Sequence, residues 1–399
     1  MRYYIVAALS LLWFGNRVSA QKVIAVSGRL KGVQEGTKIY LMKQEGNVGI
    51  QVSKDSVVKG RFHILYTPAG GDTEQYSLMA DGKGFPSMNL KLWAKAGSKI
   101  TVKGNDKFVY TWSAKSNIPE QKEWAYFINA NKQSWNMYQQ LSAQRTILID
   151  QYLTDNLTKA EKMTFKGRID SLDSLSKIYD YKIQKNNLVL LEKGKMTPGR
   201  LEILKSIANA IKWNGAEEFR PAIAKLYGAL ATDMKNSSYG QEIALVLYPP
   251  KVVKAGQPMY DTLLKDLQGN TYHLADFKGR YILLDFWSFG CGPCHASVPE
   301  MKEIHEKLKD SLAIVSLSSD NKKIWEEATK MFKMTWHNLS DGNENRGIYA
   351  QYGVEGIPNY VLITPDGKVK ATWTGYGTGS LKEKIKDLTG LVLSGASKE

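Results

Sequence analysis

Residues 281–295 read Tyr281-Ile282-Leu283-Leu284-Asp285-Phe286-Trp287-Ser288-Phe289-Gly290-Cys291-Gly292-Pro293-Cys294-His295. The first seven are an apolar run broken only by Asp285, the pattern of a buried strand. Pro293 then suits the first turn of a helix, where its missing N–H costs little. The helix that follows carries Val298, Met301, Ile304 and Leu308 on one face. Two cysteines spaced two residues apart in a first helical turn bring their sulfurs close enough to cycle between dithiol and disulfide. Unpaired N–H groups and the positive helix end stabilise a thiolate on the first of them. That lowers its pKa below the free value of about 8.5, and the thiolate is the nucleophile. The pattern therefore makes Cys291 the attacking residue and Cys294 the resolving residue, one turn deeper. Cys294 must lose a proton before it attacks. Asp285, an acid within an apolar strand, is the candidate base, because burial raises its pKa towards a useful range. A hydrogen-bonded structural acid is the other reading of Asp285.

Working downstream, residues 312–317 read as a second buried strand and 321–332 as a second helix. Residues 360–364, the turn Pro365-Asp366-Gly367 and residues 369–373 form a predicted hairpin, followed by a closing helix over 380–388. A βαβ unit, a hairpin and a helix imply a mixed sheet with helices on both faces. Upstream, Tyr248-Pro249-Pro250 stops a helix and makes a stiff joint. Before it, helical spacing recurs in Trp124, Phe127, Ile128, Trp135, Tyr138 and Leu141. It recurs again in Phe165, Ile169, Leu172, Leu175, Tyr179 and Ile183, and once more from Leu201 to Leu230. Pro198 and Pro221 mark two helix starts. From residue 23 to 111 short strand-like runs (23–26, 38–42, 61–66, 90–93) alternate with Gly, Asn and Asp. The expected organisation is a leader over 1–20, a β-rich domain over 21–115, a helical region over 116–249 and an α/β domain over 250–399.

The 399 residues are 43% apolar and 23% charged, which excludes disordered and coiled-coil classes. Two cysteines exclude a disulfide-stapled scaffold. The formal charge of +15 is concentrated in the N-terminal third and nearly balanced beyond residue 250. Without zinc-finger spacing or an aromatic-basic signature, it reads as a solvated lysine-rich surface and not as a nucleic-acid interface. Arg2, an apolar run over 3–14 broken only by Ser10, and Val18-Ser19-Ala20 have the form of a cleavable export signal. The run is shorter than the about 20 residues that span a bilayer. The expected location is the periplasm or cell envelope.

Asp285-Phe286-Trp287 followed by Cys291-Gly292-Pro293-Cys294 resembles thioredoxin. Leu267-Gln268-Gly269-Asn270, Asp276-Phe277-Lys278-Gly279, Tyr352-Gly353-Val354, Gly356-Ile357-Pro358 and Pro365-Asp366-Gly367-Lys368 are similar to the TlpA/ResA-type envelope oxidoreductases. The resemblance covers about residues 250–390. The front portions resemble, more weakly, domains fused to such modules in envelope proteins of Bacteroidetes-like bacteria. The resemblance implies a thioredoxin-like fold for 250–399 and a redox disulfide Cys291–Cys294. It implies reduction of disulfides in envelope client proteins, with electrons from a membrane thiol donor and no bound cofactor. It makes Pro358 the family's cis-proline, which presents the Ile357 backbone to an extended substrate. Trp287 becomes the tryptophan that shapes the substrate-binding surface. Two positions depart from the pattern. Gly290 stands where a second tryptophan is common, and Ser297 where ResA-like members carry a glutamate, so proton handling falls to Asp285.

Other classes compete for the same residues. Cys291-Gly292-Pro293-Cys294-His295 satisfies the c-type haem pattern, C-x-x-C-H. Haem attachment requires neither the strand before it nor Gly356-Ile357-Pro358 after it, which favours redox chemistry. Two cysteines and His295 alone make a poor zinc site, so no metal is expected. Residues 21–249 could also constitute a binding or interaction protein, with the cysteine domain as a redox accessory.

Overall fold

The first eight strands are β1 (Ile24–Lys31), β2 (Lys38–Glu45), β3 (Val48–Ser56), β4 (Arg61–Tyr66), β5 (Glu74–Asp81), β6 (Leu90–Ala94), β7 (Lys99–Asn105) and β8 (Ser113–Lys115). In β1, β4 and β7 every second side chain enters a core. The computed structural model describes residues 22–393 except 46, 47, 83 and 155, so the export signal read at 1–20 lies outside the described residues. The strands form two sheets, ordered β4-β1-β7-β8 and β3-β2-β5-β6. Both contribute to one core, including Val26, Ile39, Leu41, Ile64, Leu78 and Val102. The period-2 burial of β1 and β7 is the cause: one face is apolar and the other is wet. Strands β3, β5 and β7 escaped the reading of apolar runs because Lys, Gln, Asp and Gly occupy their outward or edge positions.

Seven helices follow: α1 (Pro119–Ala130), α2 (Lys132–Thr154), α3 (Lys159–Leu191), α4 (Pro198–Asn214), α5 (Arg220–Gly228), α6 (Thr232–Asn236) and α7 (Ser238–Leu247). Local chemistry sets several boundaries. Thr158 and Glu161 form a capping box at the start of α3. Thr197 caps α4 ahead of Pro198, and Gly215 ends it in the left-handed conformation. Leu201, Leu204, Ile207 and Ile211 of α4 pack with Phe127, Ile223 and Ile243. The helical spacing read from Phe165 to Ile183 lies on α3, but Leu175 is exposed and the buried positions of α3 begin only at Ile183. The first half of this 33-residue helix pairs with α2 but extends past the core that α4 provides.

The remaining elements are β9 (Leu264–Lys265), β10 (Thr271–Tyr272), β11 (Tyr281–Trp287), α8 (Gly292–Leu308), β12 (Leu312–Ser318) and α9 (Lys322–Phe332). They continue with β13 (His337–Leu339), α10 (Ile348–Gln351), β14 (Asn359–Ile363), β15 (Val369–Thr374) and α11 (Ser380–Thr389). Five strands form a mixed sheet, β13-β12-β11-β14-β15. β11 runs parallel to β12 and antiparallel to β14. Ile282, Leu284 and Phe286 face one layer, with Phe277, Ile348 and Tyr352. Leu283 faces the other, where α8 supplies Val298, Met301 and Ile304 and α11 supplies Leu381 and Ile385. This is a thioredoxin-like α/β fold, preceded by a β-rich region and a helical one. Among the described residues, no helix is long and apolar enough to cross a membrane.

Candidate active site

The end of the central strand β11 and the start of α8 carry the site. Cys291 is the N-cap of α8, with Pro293 in the first turn. Its Sγ is bonded to Cys294 Sγ in a disulfide and accepts the Cys294 backbone N–H at 3.1 Å. Sulfur thus takes the place of the side-chain oxygen that satisfies a free N–H at most helix starts. Cys291 is 8% exposed and Cys294 3%. Beside them Gly292 is exposed, and a Cβ there would meet nothing within 4 Å. The disulfide therefore has an open flank at Gly292 and a packed floor. That floor is Trp287, Trp325 and Ala328, with Leu267, Phe289, Phe332 and Ile357 packed against it.

Trp287 is 1% exposed. Its indole Nε1 donates to Asn338 Oδ1 at 3.2 Å, and its backbone N–H donates to Tyr349 Oη at 3.0 Å. It supports the disulfide from below. Ile357–Pro358 is a cis peptide bond. Ile357 is partly buried and touches both the cluster around the cysteines and the layer under β11. Pro358 precedes β14, and its carbonyl accepts the Gly375 N–H at 2.8 Å.

Asp285 is 2% exposed. Strand alternation puts it on the same face as Leu283 and Trp287, between the α8 layer and the cysteine cluster. Its neighbours across the sheet are Ser316 and Tyr360. Oδ2 accepts the Ser316 hydroxyl at 2.7 Å, and that hydroxyl oxygen accepts Trp336 Nε1–H at 2.8 Å. Oδ1 is buried with no hydrogen-bond partner among the described residues. Burial pushes the carboxyl up to about 7, against a smaller opposing effect of the Ser316 bond. A carboxyl in that range exchanges protons at neutral pH, as a general acid–base must.

Ser297 is buried one turn beyond Cys294, and its hydroxyl donates to the Cys294 carbonyl at 2.8 Å. It satisfies backbone and carries no charge. His295 is half-buried, with its ring 4.4 Å from that of Phe332, and its Nε2 has no partner among the described residues. Two further groups form no motif along the chain because each lies far in sequence from what it holds. Glu300 on α8 accepts hydrogen bonds from Tyr376 Oη and from the Gly379 and Lys382 N–H groups, tying α8 to the start of α11. Asp320, just past β12, accepts the Phe289 N–H ahead of Cys291. Their only sequence signal is an acid within a helix and an acid closing a buried strand. Among the described residues, no group of three or more His, Cys, Asp or Glu side chains is placed to hold a metal ion.

A mixed five-stranded sheet with a Cys-x-x-Cys disulfide where its central strand meets a helix defines a thioredoxin-like class of protein. A family profile described as thioredoxin-like matches residues 279–369. The thiol-disulfide oxidoreductase ResA of Geobacillus thermodenitrificans is 32% identical over 136 residues, which cover 34% of this chain and 75% of that protein. The ResA of Bacillus cereus is 32% identical over 144 residues, covering 34% of this chain and 80% of that protein. The thioredoxin domain of a thiol-disulfide oxidoreductase from Bacteroides vulgatus has 27% identity and a TM-score of 0.32, covering 34% of this chain and 99% of that one. The chain belongs to the thioredoxin-like thiol–disulfide oxidoreductases, and it is an enzyme of that type.

Proposed function

We propose that the protein is exported and reduces disulfides in envelope client proteins through its Cys291–Cys294 dithiol. The observation that carries this reading is a disulfide at the N-terminus of α8, open at Gly292 and floored by Trp287, with a buried carboxyl of raised pKa on the same sheet face. In the reduced enzyme Cys291, favoured as a thiolate by the helix end, attacks one sulfur of the client disulfide. The client S–S bond breaks, the other client sulfur leaves as a thiolate, and a mixed disulfide forms. Asp285 takes the proton of Cys294. The Cys294 thiolate then attacks Cys291 Sγ, releasing the second client thiol and closing the enzyme disulfide. Two electrons have passed to the client. A thiol donor at the membrane returns them, and the enzyme needs no bound cofactor.

In this reading Ile357 and Pro358 present backbone beside the sulfurs to an extended client segment, strand to strand. Trp287 acts from underneath, by holding the cysteine turn in place. Export rests on the leader-like composition of residues 1–20, and reduction over oxidation rests on the Gly-Pro dipeptide shared with thioredoxin. The haem alternative would require thioether bonds from two sulfurs that are joined to each other and packed against Trp287 and Trp325. The β-rich and helical regions fit a role in selecting or placing clients, with domain boundaries at 21–115, 116–249 and 250–399.

Replacement of single cysteines tests the mechanism. Cys291→Ser is expected to abolish reduction of a protein disulfide, and Cys294→Ser to accumulate mixed disulfides visible on non-reducing gels. Full activity in both variants would refute it. Equilibration of the wild type with redox buffers then gives the direction. A potential near about −270 mV marks a reductant and one near about −120 mV an oxidant.

A further inference from the structure

Asp320 approaches the cysteine turn from the end of β12. It is buried, and its Oδ2 accepts the Phe289 N–H at 2.7 Å and the Ser318 hydroxyl at 3.3 Å. Phe289 lies two residues before Cys291 and packs against the cysteine cluster, so this bond holds the segment that delivers the first sulfur. Asp320 Oδ1 is buried without a partner among the described residues, and so is Nε2 of His295, the residue that follows Cys294. The His295 ring is sandwiched near Phe289 and Phe332, at 5.7 and 4.4 Å. The titratable groups that face Asp320 are His295 of α8 and Tyr349 of α10. Burial keeps Tyr349 a neutral phenol, with its pKa well above the usual range. Burial also raises the Asp320 pKa, opposed by the Phe289 N–H, by the Ser318 hydroxyl and, least of the three, by the nearby His295. An acid is thus tied to the segment ahead of Cys291, Asp320 through the Phe289 N–H, and a base, His295, directly follows Cys294.

We propose that Asp320 is a positioning residue for disulfide exchange, which clamps the segment ahead of Cys291 through the Phe289 N–H and, together with His295, sets the charge that the reduced sulfurs meet. This rests on the reading of Cys291 and Cys294 as the redox pair. When dithiothreitol reduces the pair, the Cys291–Cys294 bond breaks and two electrons move to the enzyme sulfurs. The two donor protons go to those sulfurs or to solvent, and the donor closes to its cyclic disulfide. A thiolate forming at Cys291 is disfavoured by an ionised Asp320 and favoured by a protonated His295.

The test is the equilibrium of the full mature chain with dithiothreitol, measured from about pH 4 to about pH 8. Asp320→Asn keeps an oxygen acceptor for the Phe289 N–H and removes the charge. Its reduction equilibrium constant is expected to exceed the wild-type value about tenfold at the high end, equivalent to about 30 mV. The difference should close as the pH falls and Asp320 takes up a proton. His295→Gln is expected to act in the opposite sense to Asp320→Asn, lowering the constant. If Asp320→Asn does not fold, His295→Gln decides alone. Coincidence of variant and wild type at every pH would overturn the proposal. So would a shift of equal size at every pH, which marks a displaced segment and not a removed charge. A wild type with no reversible couple would instead overturn the redox reading on which the proposal rests.

Discussion

Asp285 makes a quantitative demand on stability. In the unfolded chain the carboxyl ionises near 3.8, whereas burial in the folded protein moves it to about 7. A folded-state pKa above the unfolded one means that the native protein holds the proton more tightly. The associated stability is present in full below the unfolded value and is lost as pH rises through about 7. Between about pH 5 and about pH 7 the folded state holds a proton that the unfolded chain has released, over about two pH units each worth about 1.4 kcal/mol, and above about pH 7 both states are ionised. The oxidised wild type should therefore lose about 3 kcal/mol through this carboxyl alone. Asp285→Asn retains an oxygen for the Ser316 hydroxyl and cannot ionise, so it should not carry that loss. Urea unfolding of both proteins at the two pH values, followed by a signal from residues 250–399 and with the disulfide intact, measures the difference. In thermal unfolding the same energy corresponds to about 10 °C for a domain of this size. The variant should also lose the inflection near pH 7 in the rate at which Cys294 resolves a mixed disulfide. Parallel stability curves for the two proteins from pH 5 to pH 8 would refute the reasoning.

Other residues give simpler tests. Glu300→Ala removes the acceptor of the Tyr376, Gly379 and Lys382 hydrogen bonds. Leaving those donors unpaired should cost about 2–4 kcal/mol in denaturant unfolding, with loss of order at α11. Gly292→Ala enters open space in the first turn of α8, so its unfolding midpoint should stay level or rise by the equivalent of about 0.4–1 kcal/mol. A clear loss of stability there would mean that the flank beside Cys291 is not open. Trp287→Ala should destabilise the protein by about 3–5 kcal/mol, because a fully buried ring beneath both cysteines is deleted.

The site is only partly legible along the chain, and the division follows distance. Cys291, Cys294 and Asp285 could be read because a strand, a turn and a helix start follow one another within fifteen residues. Ile357 and Pro358 sit more than sixty residues from the cysteines and were reached only through a resemblance. Asp320, Trp325 and Glu300 escaped altogether, since each makes its contact on an element remote in sequence. The early half of α3 shows the converse. Its apolar spacing is helical, but a period says which residues share a face and not whether another element covers that face.

What could be read along the chain is therefore local: the strand ending at Trp287, the helix that begins at the cysteine pair, the helix starts at Pro198 and Pro221, and the class of chemistry. Those features depend on side chains within a turn or two of one another, where spacing and geometry are the same thing. The tertiary structure alone decided the charge environment of the sulfurs. Whether Asp285 holds a proton at neutral pH depends on how much water the packed sheet excludes, and whether Asp320 reaches Phe289 depends on β12 ending beside β11. Desolvation and long-range register are properties of the packed sheet and its layers, and a linear order of residues does not contain them.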